Sequence, residues 1–288
     1  MHTLIRSLAF CILPWLIAAC ATSTGKDSAT ASAAPPSEPA VVAVSPQLAP
    51  SDAPWVSLFN GTTLAGWTPK IRGLEVGEDP ARTFRVEDGL LTVNYENYTD
   101  FNNQFGHLFY KTPYSFYRLR LQYRFLDEQA PGAPDWAYKN SGVMIHSQAP
   151  QTMPAAQDFP ISIEVQFLGG RGDGQPRPTA NMCSPGTHIV YQGEFTDTHC
   201  IVAAAPTFHG QEWVDIEVVV KQDTLVEHYV NGEQVMRYGG LTTGGGVVSG
   251  HRPELKPEGE PLTQGYISLQ SEGHPIQFRN IEIQNLGS

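Results

Sequence analysis

FYRLRLQYRF, residues 116–125, puts Tyr117, Leu119, Leu121, Tyr123 and Phe125 on one side and Arg118, Arg120, Gln122 and Arg124 on the other. A strict period of two marks a strand with one face in a core and the other in water, and no helical phase fits it. The same alternation recurs outward along the chain. In residues 161–168, Ile161, Ile163, Val165 and Phe167 oppose Ser162, Glu164 and Gln166. Val214–Lys221 and Leu225–Val230 predict a hairpin around Gln222-Asp223, and Asn231-Gly232 marks the next tight turn. Glu87-Asp88-Gly89 turns residues 84–86 into 90–95, and residues 271–275 separate a strand at 266–270 from one at 276–283. No stretch of helical period exceeds a turn or two, and no fixed repeat suggests a propeller. The expected class is all-β, with two antiparallel sheets in a jelly-roll sandwich.

Composition agrees. Only 16% of the 288 residues are charged, against about 25% in ordinary soluble domains, while 50 residues are Gly or Pro. Few charges and many turn formers exclude a helical bundle or coiled coil, whose exposed faces need Lys and Glu. The 29 acidic residues outnumber the 18 basic ones, for a net charge of −11. That balance argues against a nucleic-acid partner, since phosphate recognition needs clustered Lys and Arg.

At the start of the chain, His2 and Arg6 precede an apolar run from Leu8 to Ala19, too short for a membrane span and of signal-peptide length. It ends Ile17-Ala18-Ala19-Cys20, which resembles the bacterial lipobox. Residues 1–19 are expected to be a lipoprotein signal, with Cys20 acylated and anchored in a lipid membrane. Ala21 follows instead of an acidic residue, which by the bacterial sorting rule implies the outer membrane of the cell envelope, facing the periplasm. Residues 20–54 are rich in Ala, Ser, Thr and Pro and hold no aromatic residue, as expected of a disordered tether. One folded domain, 55–288, remains.

Of the four cysteines, Cys11 goes with the signal and Cys20 with the lipid. Cys183 and Cys200 are an even pair in a compartment where disulfides persist, and are expected to bridge. A metal site using them with His188 and His199 has no CxxC spacing behind it, so neither metal nor cofactor is expected.

The outward strand faces carry the candidate chemistry. Glu164 and Gln166 share one face; Tyr266, Ser268, Gln270 and Glu272 share another; Met144 and His146 lie opposite Val143 and Ile145, with Asn140 just before. On one concave sheet these would gather two carboxylates, a histidine and amides, an inventory suited to sugar hydroxyls and acid–base work. The long segments 127–139 and 239–264 are expected to rim the cleft. Trp136, in the first of them, is a candidate to stack on a sugar ring, whereas Trp67 and Trp213 are expected as anchors. The stripe of Arg118, Arg120 and Arg124 is expected to be a solvated face.

Leu58-Phe59-Asn60-Gly61 followed by Leu64-Ala65-Gly66-Trp67 resembles the opening of the 3-keto-disaccharide hydrolase domain family. Further motifs follow in order: Asn140-Ser141-Gly142-Val143, Ile163-Glu164-Val165-Gln166, Glu212-Trp213 before Val230-Asn231-Gly232, and Ile267 to Gly273 running into Phe278-Arg279-Asn280-Ile281. The resemblance covers residues 55–286. It implies a concanavalin-A-like jelly roll and a hydrolase acting on glycosides whose sugar carries a 3-keto group. It also implies that the Asn-Ser-Gly and Glu-x-Gln strands form the cleft, while the first and last motifs join the terminal strands. His146 stands where many members carry Arg, Glu272 where many carry His, and residues 181–186 depart from their Thr-Gly pattern, so the substrate does not transfer.

A ketone at C3 acidifies the proton on C2, so a base can remove it and expel the aglycone from C1, after which water adds to the enone. Glu164 or His146 is the candidate base and Glu272 the candidate acid. Asn140 and Gln166 are candidate donors to the ketone oxygen, with Gln270 and Trp136 as further substrate contacts. Direct hydrolysis with Glu164 and Glu272 flanking the bond is the competing mechanism. A lectin-like binding module and a scaffold lipoprotein are the competing functions.

Overall fold

The computed structural model describes residues 53–126 and 128–287. The expected signal, the acylated Cys20 and nearly all of the tether lie outside the described residues. In chain order the strands are β1 (Val56–Ser57), β2 (Trp67–Ile71), β3 (Phe84–Glu87), β4 (Leu90–Val93), β5 (Gly106–Tyr110), β6 (Phe116–Phe125), β7 (Asn140–Ser147), β8 (Ile163–Leu168) and β9 (Asn181–Cys183). They continue with β10 (Thr187–Tyr191), β11 (Glu194–Thr196), β12 (Cys200–Ile201), β13 (Val214–Lys221), β14 (Leu225–Val230), β15 (Glu233–Thr243), β16 (Tyr266–Ser271) and β17 (Ile276–Asn285). The helical content described is three single turns of 3₁₀ helix, at Asp135–Ala137, Pro150–Thr152 and Pro253–Leu255.

Ten strands form one antiparallel sheet, ordered β11-β10-β15-β14-β13-β6-β17-β4-β3 with β1 added on β17. The other seven are ordered β12-β9-β8-β7-β16-β5-β2. Most neighbours in this second sheet are distant in sequence, as in a jelly roll. The two sheets pack face to face, and the stacked rings of Tyr123 on β6 and Phe167 on β8, 4.4 Å apart, join them across the core. This is the all-β, two-sheet jelly-roll sandwich expected from the alternating stretches.

Strand β6 runs through the middle of the larger sheet, between β13 and β17. Its Tyr117, Leu119, Leu121, Tyr123 and Phe125 are buried, as the period of two requires. The arginines opposite are not simply solvated. Arg118 pairs with Glu217 and Arg120 with Glu282 across neighbouring strands, while Arg124 and Arg279 both lie over the Trp213 indole, at 4.6 and 4.0 Å from its centre. Such exposed pairs contribute little individually, about 0–1 kcal/mol each, but they fix cross-strand register. Trp67 is buried and donates its Nε1–H to the Leu58 carbonyl at 2.8 Å. The terminal strands close on each other through β1 and β17.

Among the boundaries that differ from the sequence expectation, two have a visible cause. The strand expected over 161–168 begins at Ile163, because Gln148 Oε1 accepts the Ile161 N–H and the Pro185 carbonyl accepts the Ser162 N–H. Strand β15 continues five residues into the segment 239–264 expected as loop. Gly239 permits this: a Cβ there would lie 2.1 Å from the Thr224 carbonyl oxygen, so only glycine lets the strand pass.

Candidate active site

Alternation along β8 sends Ile163, Val165 and Phe167 into the core and leaves Glu164, Gln166 and Leu168 on the outer face of the seven-stranded sheet. Register then assembles the site. Met144 and Gly142 of β7 lie opposite Glu164 and Gln166, and Cys183 and Asn181 of β9 lie opposite them on the other side. Ser268 of β16 is paired with Met144, so Gln270 and then Glu272 follow on the same face. A cavity of about 390 Å³ opens there, with Asn140, Glu164, Gln166 and Glu272 in its lining. Trp136, Phe159, Leu168, Pro185 and Val247 form its apolar walls, and Arg177 and His199 complete it. A larger groove of about 720 Å³ runs along β10 and β15 of the other sheet, but its lining holds no carboxylate or histidine. Chemistry, not volume, picks out the smaller one.

The two carboxylates are electrostatically unusual. Both are almost fully buried, and Glu164 Oε1 and Glu272 Oε2 have no hydrogen-bond partner. Burial, with repulsion from Glu272 as the second cause, holds Glu164 protonated well above the ordinary carboxylate range. Burial also pushes Glu272 up to about 8, an effect that the Arg177 guanidinium partly offsets. Arg177 is itself fixed by donating Nη1 to the carbonyls of Lys139, at 2.9 Å, and Gly169, at 2.6 Å.

Supporting groups hold these side chains in place. Gly142 lies under Glu164, where a Cβ would sit 2.9 Å from Oε1 and 3.0 Å from the Val165 carbonyl oxygen. Asn181 donates Nδ2 to Gln166 Oε1 at 3.0 Å, which leaves the Gln166 amide N–H groups for a ligand. Tyr95 brackets Glu272: its hydroxyl donates to Ser271 Oγ at 3.1 Å and accepts the Gly273 N–H at 2.8 Å.

The structure therefore brings together Glu164, Glu272, Asn140, Gln166 and Trp136. It does not bring His146 to them. Tyr266 pairs with Ser147 and Ser268 with Met144, so Ile145 and His146 together oppose the single Ile267 in a β-bulge. His146 sits at φ +51° and is turned toward the other sheet, where Nε2 donates to the Gln222 carbonyl at 3.0 Å. Burial lowers its pKa to about 4. As a candidate base it is corrected: it is a neutral structural histidine outside the cavity. Gln270 keeps the expected face but is fully buried and outside the cavity lining, with both amide atoms unpartnered, beside His107 on β5.

Cys183 and Cys200 form a disulfide between directly opposed residues of β9 and β12, with Cα atoms 4.1 Å apart. His199 lies close enough that its ring and the two sulfurs fall within 4.8 Å of one another. With the sulfurs bonded to each other, that trio has no thiolate to offer a metal. Cys200 instead forms part of the cavity wall.

A family model described as the 3-keto-alpha-glucoside-1,2-lyase-like domain matches residues 54–284. The chain belongs to that family. Two solved structures of candidate glycosyl hydrolases from Parabacteroides distasonis share 20% and 18% identity with it, at TM-scores of 0.47 and 0.48. Each covers 81% of this chain, and 94% and 100% of its own. The carbohydrate binding module CBM66 from Bacillus subtilis shares 9% identity at a TM-score of 0.42, over 76% of this chain and 96% of its own. No curated protein matches the chain.

In this member of the 3-keto-alpha-glucoside-1,2-lyase-like family, Arg177 of the cavity and a buried pair outside its lining, Lys70 and His107, carry no signal in the sequence. Arg177 lies between two prolines, in a segment without periodicity. Lys70 and His107, both buried, face each other across β2 and β5 on the cavity side of the sheet.

Proposed function

We propose that this chain cleaves glycosides whose sugar is oxidised to a ketone at C3, by elimination across C1–C2 followed by hydration. The observation that carries this reading is the pair of buried, unpartnered carboxylates opening onto one cavity, only one of them relieved by a cation. Environments that push two titratable groups apart assign the acid and the base. Glu164, held protonated, is the acid. Glu272, eased by Arg177, is the base, which reverses the assignment expected from sequence.

In the first step Glu272 takes the C2 proton, and the C–H electron pair becomes the C1–C2 double bond. The C1–O bond breaks, and the leaving oxygen takes the proton of Glu164. Gln166 donates its free amide N–H to the ketone oxygen as negative charge builds there, and Asn140 Oδ1, buried and unpartnered, accepts a sugar hydroxyl. Water then adds its oxygen to C1 and gives a proton to Glu164, while Glu272, having exchanged the abstracted proton with solvent, protonates C2. Both groups are reset, and the net change is glycoside plus water to 3-keto sugar plus alcohol. A purely sugar-binding site has no use for two carboxylates kept neutral against their solution preference.

The family match supports the substrate class, and Cys20 in its lipobox-like setting supports export and anchoring to the outer membrane. Acylation predicts that Cys20→Ser moves the protein from the membrane to the soluble periplasmic fraction. The activity is tested by offering the purified chain methyl glucoside and methyl 3-keto-glucoside. Release of methanol from the keto substrate alone, lost in Glu164→Gln, supports the reading; no release from either sinks it.

A further inference from the structure

The cavity is divided by chemistry. Asn140, Glu164, Gln166 and Glu272, with Arg177 and His199, supply its polar lining, whereas Trp136, Phe159, Leu168, Pro185 and Val247 offer almost no hydrogen-bonding side chains. Among the described residues five large apolar side chains are exposed, and two of the five, Trp136 at 50% and Val247 at 53%, line this one cavity. Exposed apolar surface gathered at a pocket marks a contact site for an apolar ligand.

Both side chains are held there. The Trp136 indole stacks on Phe105, with centroids 5.7 Å apart and planes 26° apart, and Phe105 packs on Phe159 at 5.1 Å. Arg171 pins the turn beside it by donating to the Asp135 carbonyl. Val247 sits at φ +60°, a left-handed conformation costly for a β-branched residue. Its segment is fixed on both sides: the Gly246 carbonyl accepts the Gly186 N–H, and Asp158 accepts both the N–H and the hydroxyl of Ser249. Backbone strain is thus spent on presenting an isopropyl group to the cavity.

A second sugar lying against these residues would present hydroxyls around its rim to Phe159, Leu168, Pro185 and Val247, which cannot replace their bonds to water. A flat apolar ring has none to lose and presents a face to the indole. We propose that the leaving group is a planar aromatic alcohol, so that the substrates are 3-keto-glycosides of phenols whose ring lies against Trp136 and Val247. This rests on the reading that the cavity cleaves 3-keto-glycosides. The phenolic oxygen leaves C1 with the C1–O electron pair and takes the Glu164 proton, while Glu272 takes the C2 proton, and a neutral phenol is released.

The test compares KM for phenyl, methyl and glucosyl 3-keto-glucosides, since phenol is also the better leaving group and kcat alone would mislead. The expected KM for the phenyl substrate is at least tenfold below the other two. Trp136→Ala and Val247→Ala should each raise the phenyl KM at least five times more than the methyl KM. Equal KM values, a lowest KM for the glucosyl substrate, or variants that affect phenyl and methyl alike would overturn the proposal while leaving cleavage of 3-keto-glycosides intact. If no substrate is cleaved, the reaction reading fails. Calorimetric binding then decides the aromatic site separately: tenfold tighter phenyl binding that depends on Trp136 supports it, and equal binding rejects it.

Discussion

Gly142 shows how closely the site is fitted at the residue scale, because the Glu164 carboxylate occupies the space where any other residue would place its Cβ. Gly142→Ala is expected to lower kcat/KM at least tenfold while the protein remains folded, measured by steady-state kinetics alongside thermal unfolding. Glu272 offers a second test, with a definite sign. Its folded pKa, about 8, lies above the ordinary carboxylate value, so the native state holds a proton that the unfolded chain releases at lower pH. The stability it contributes is therefore full below about pH 4.5 and is lost as pH rises through about 8. Glu272→Gln should accordingly raise Tm relative to the parent at pH 9 and not at pH 4, while abolishing turnover. In the parent, kcat/KM should climb toward about pH 8 as the base ionises; a profile flat from pH 6 to 9 would remove Glu272 from that role. Glu164, Gln166 and Glu272 were legible in the sequence because alternation alone assigns their face. Arg177 was not, since a residue between prolines in a loop has no period to betray where it points.

At the scale of elements, long strands were legible and short ones were not. Phe116–Phe125, Val214–Lys221 and Leu225–Val230 carry enough alternations to define a phase, whereas β9, β11 and β12 have two or three residues each and no phase to detect. Bulges are the second blind spot. One extra residue between Met144 and Ser147 reverses the side chain that follows, and a face assigned by counting in twos sends His146 the wrong way. The corrected position makes a distinct prediction. His146→Gln should lower stability by about 1–2 kcal/mol, through the weakened bond to the Gln222 carbonyl, yet leave kcat within about threefold. Loss of activity without loss of stability would restore His146 as a base. The rims were partly legible: segments 127–139 and 239–264 do supply Trp136 and Val247, but Phe159 comes from a connection that nothing in the sequence singled out.

Across the whole molecule, the sandwich supplies a stiff sheet and the connections on one face supply the cavity. The Cys183–Cys200 bridge ties the last short strand, β12, to that sheet beside Glu164. Closing such a loop is worth on the order of 3 kcal/mol, so replacing both cysteines by serine should lower Tm by about 6–12 °C for a domain of this size; a change under about 2 °C would mean that the sheet holds β12 without it. The low charge and the acidic balance of the sequence suit a sugar-handling sandwich, although neither feature points to the reaction. The reaction itself is most directly tested by cleaving a 3-keto-glycoside in D₂O and locating deuterium in the product by NMR. Elimination followed by hydration predicts one solvent deuteron on C2 of the released 3-keto sugar in the first turnover, before free product has had time to exchange. Full retention of the original hydrogen at C2 during rapid cleavage would contradict the account and point to direct displacement at C1.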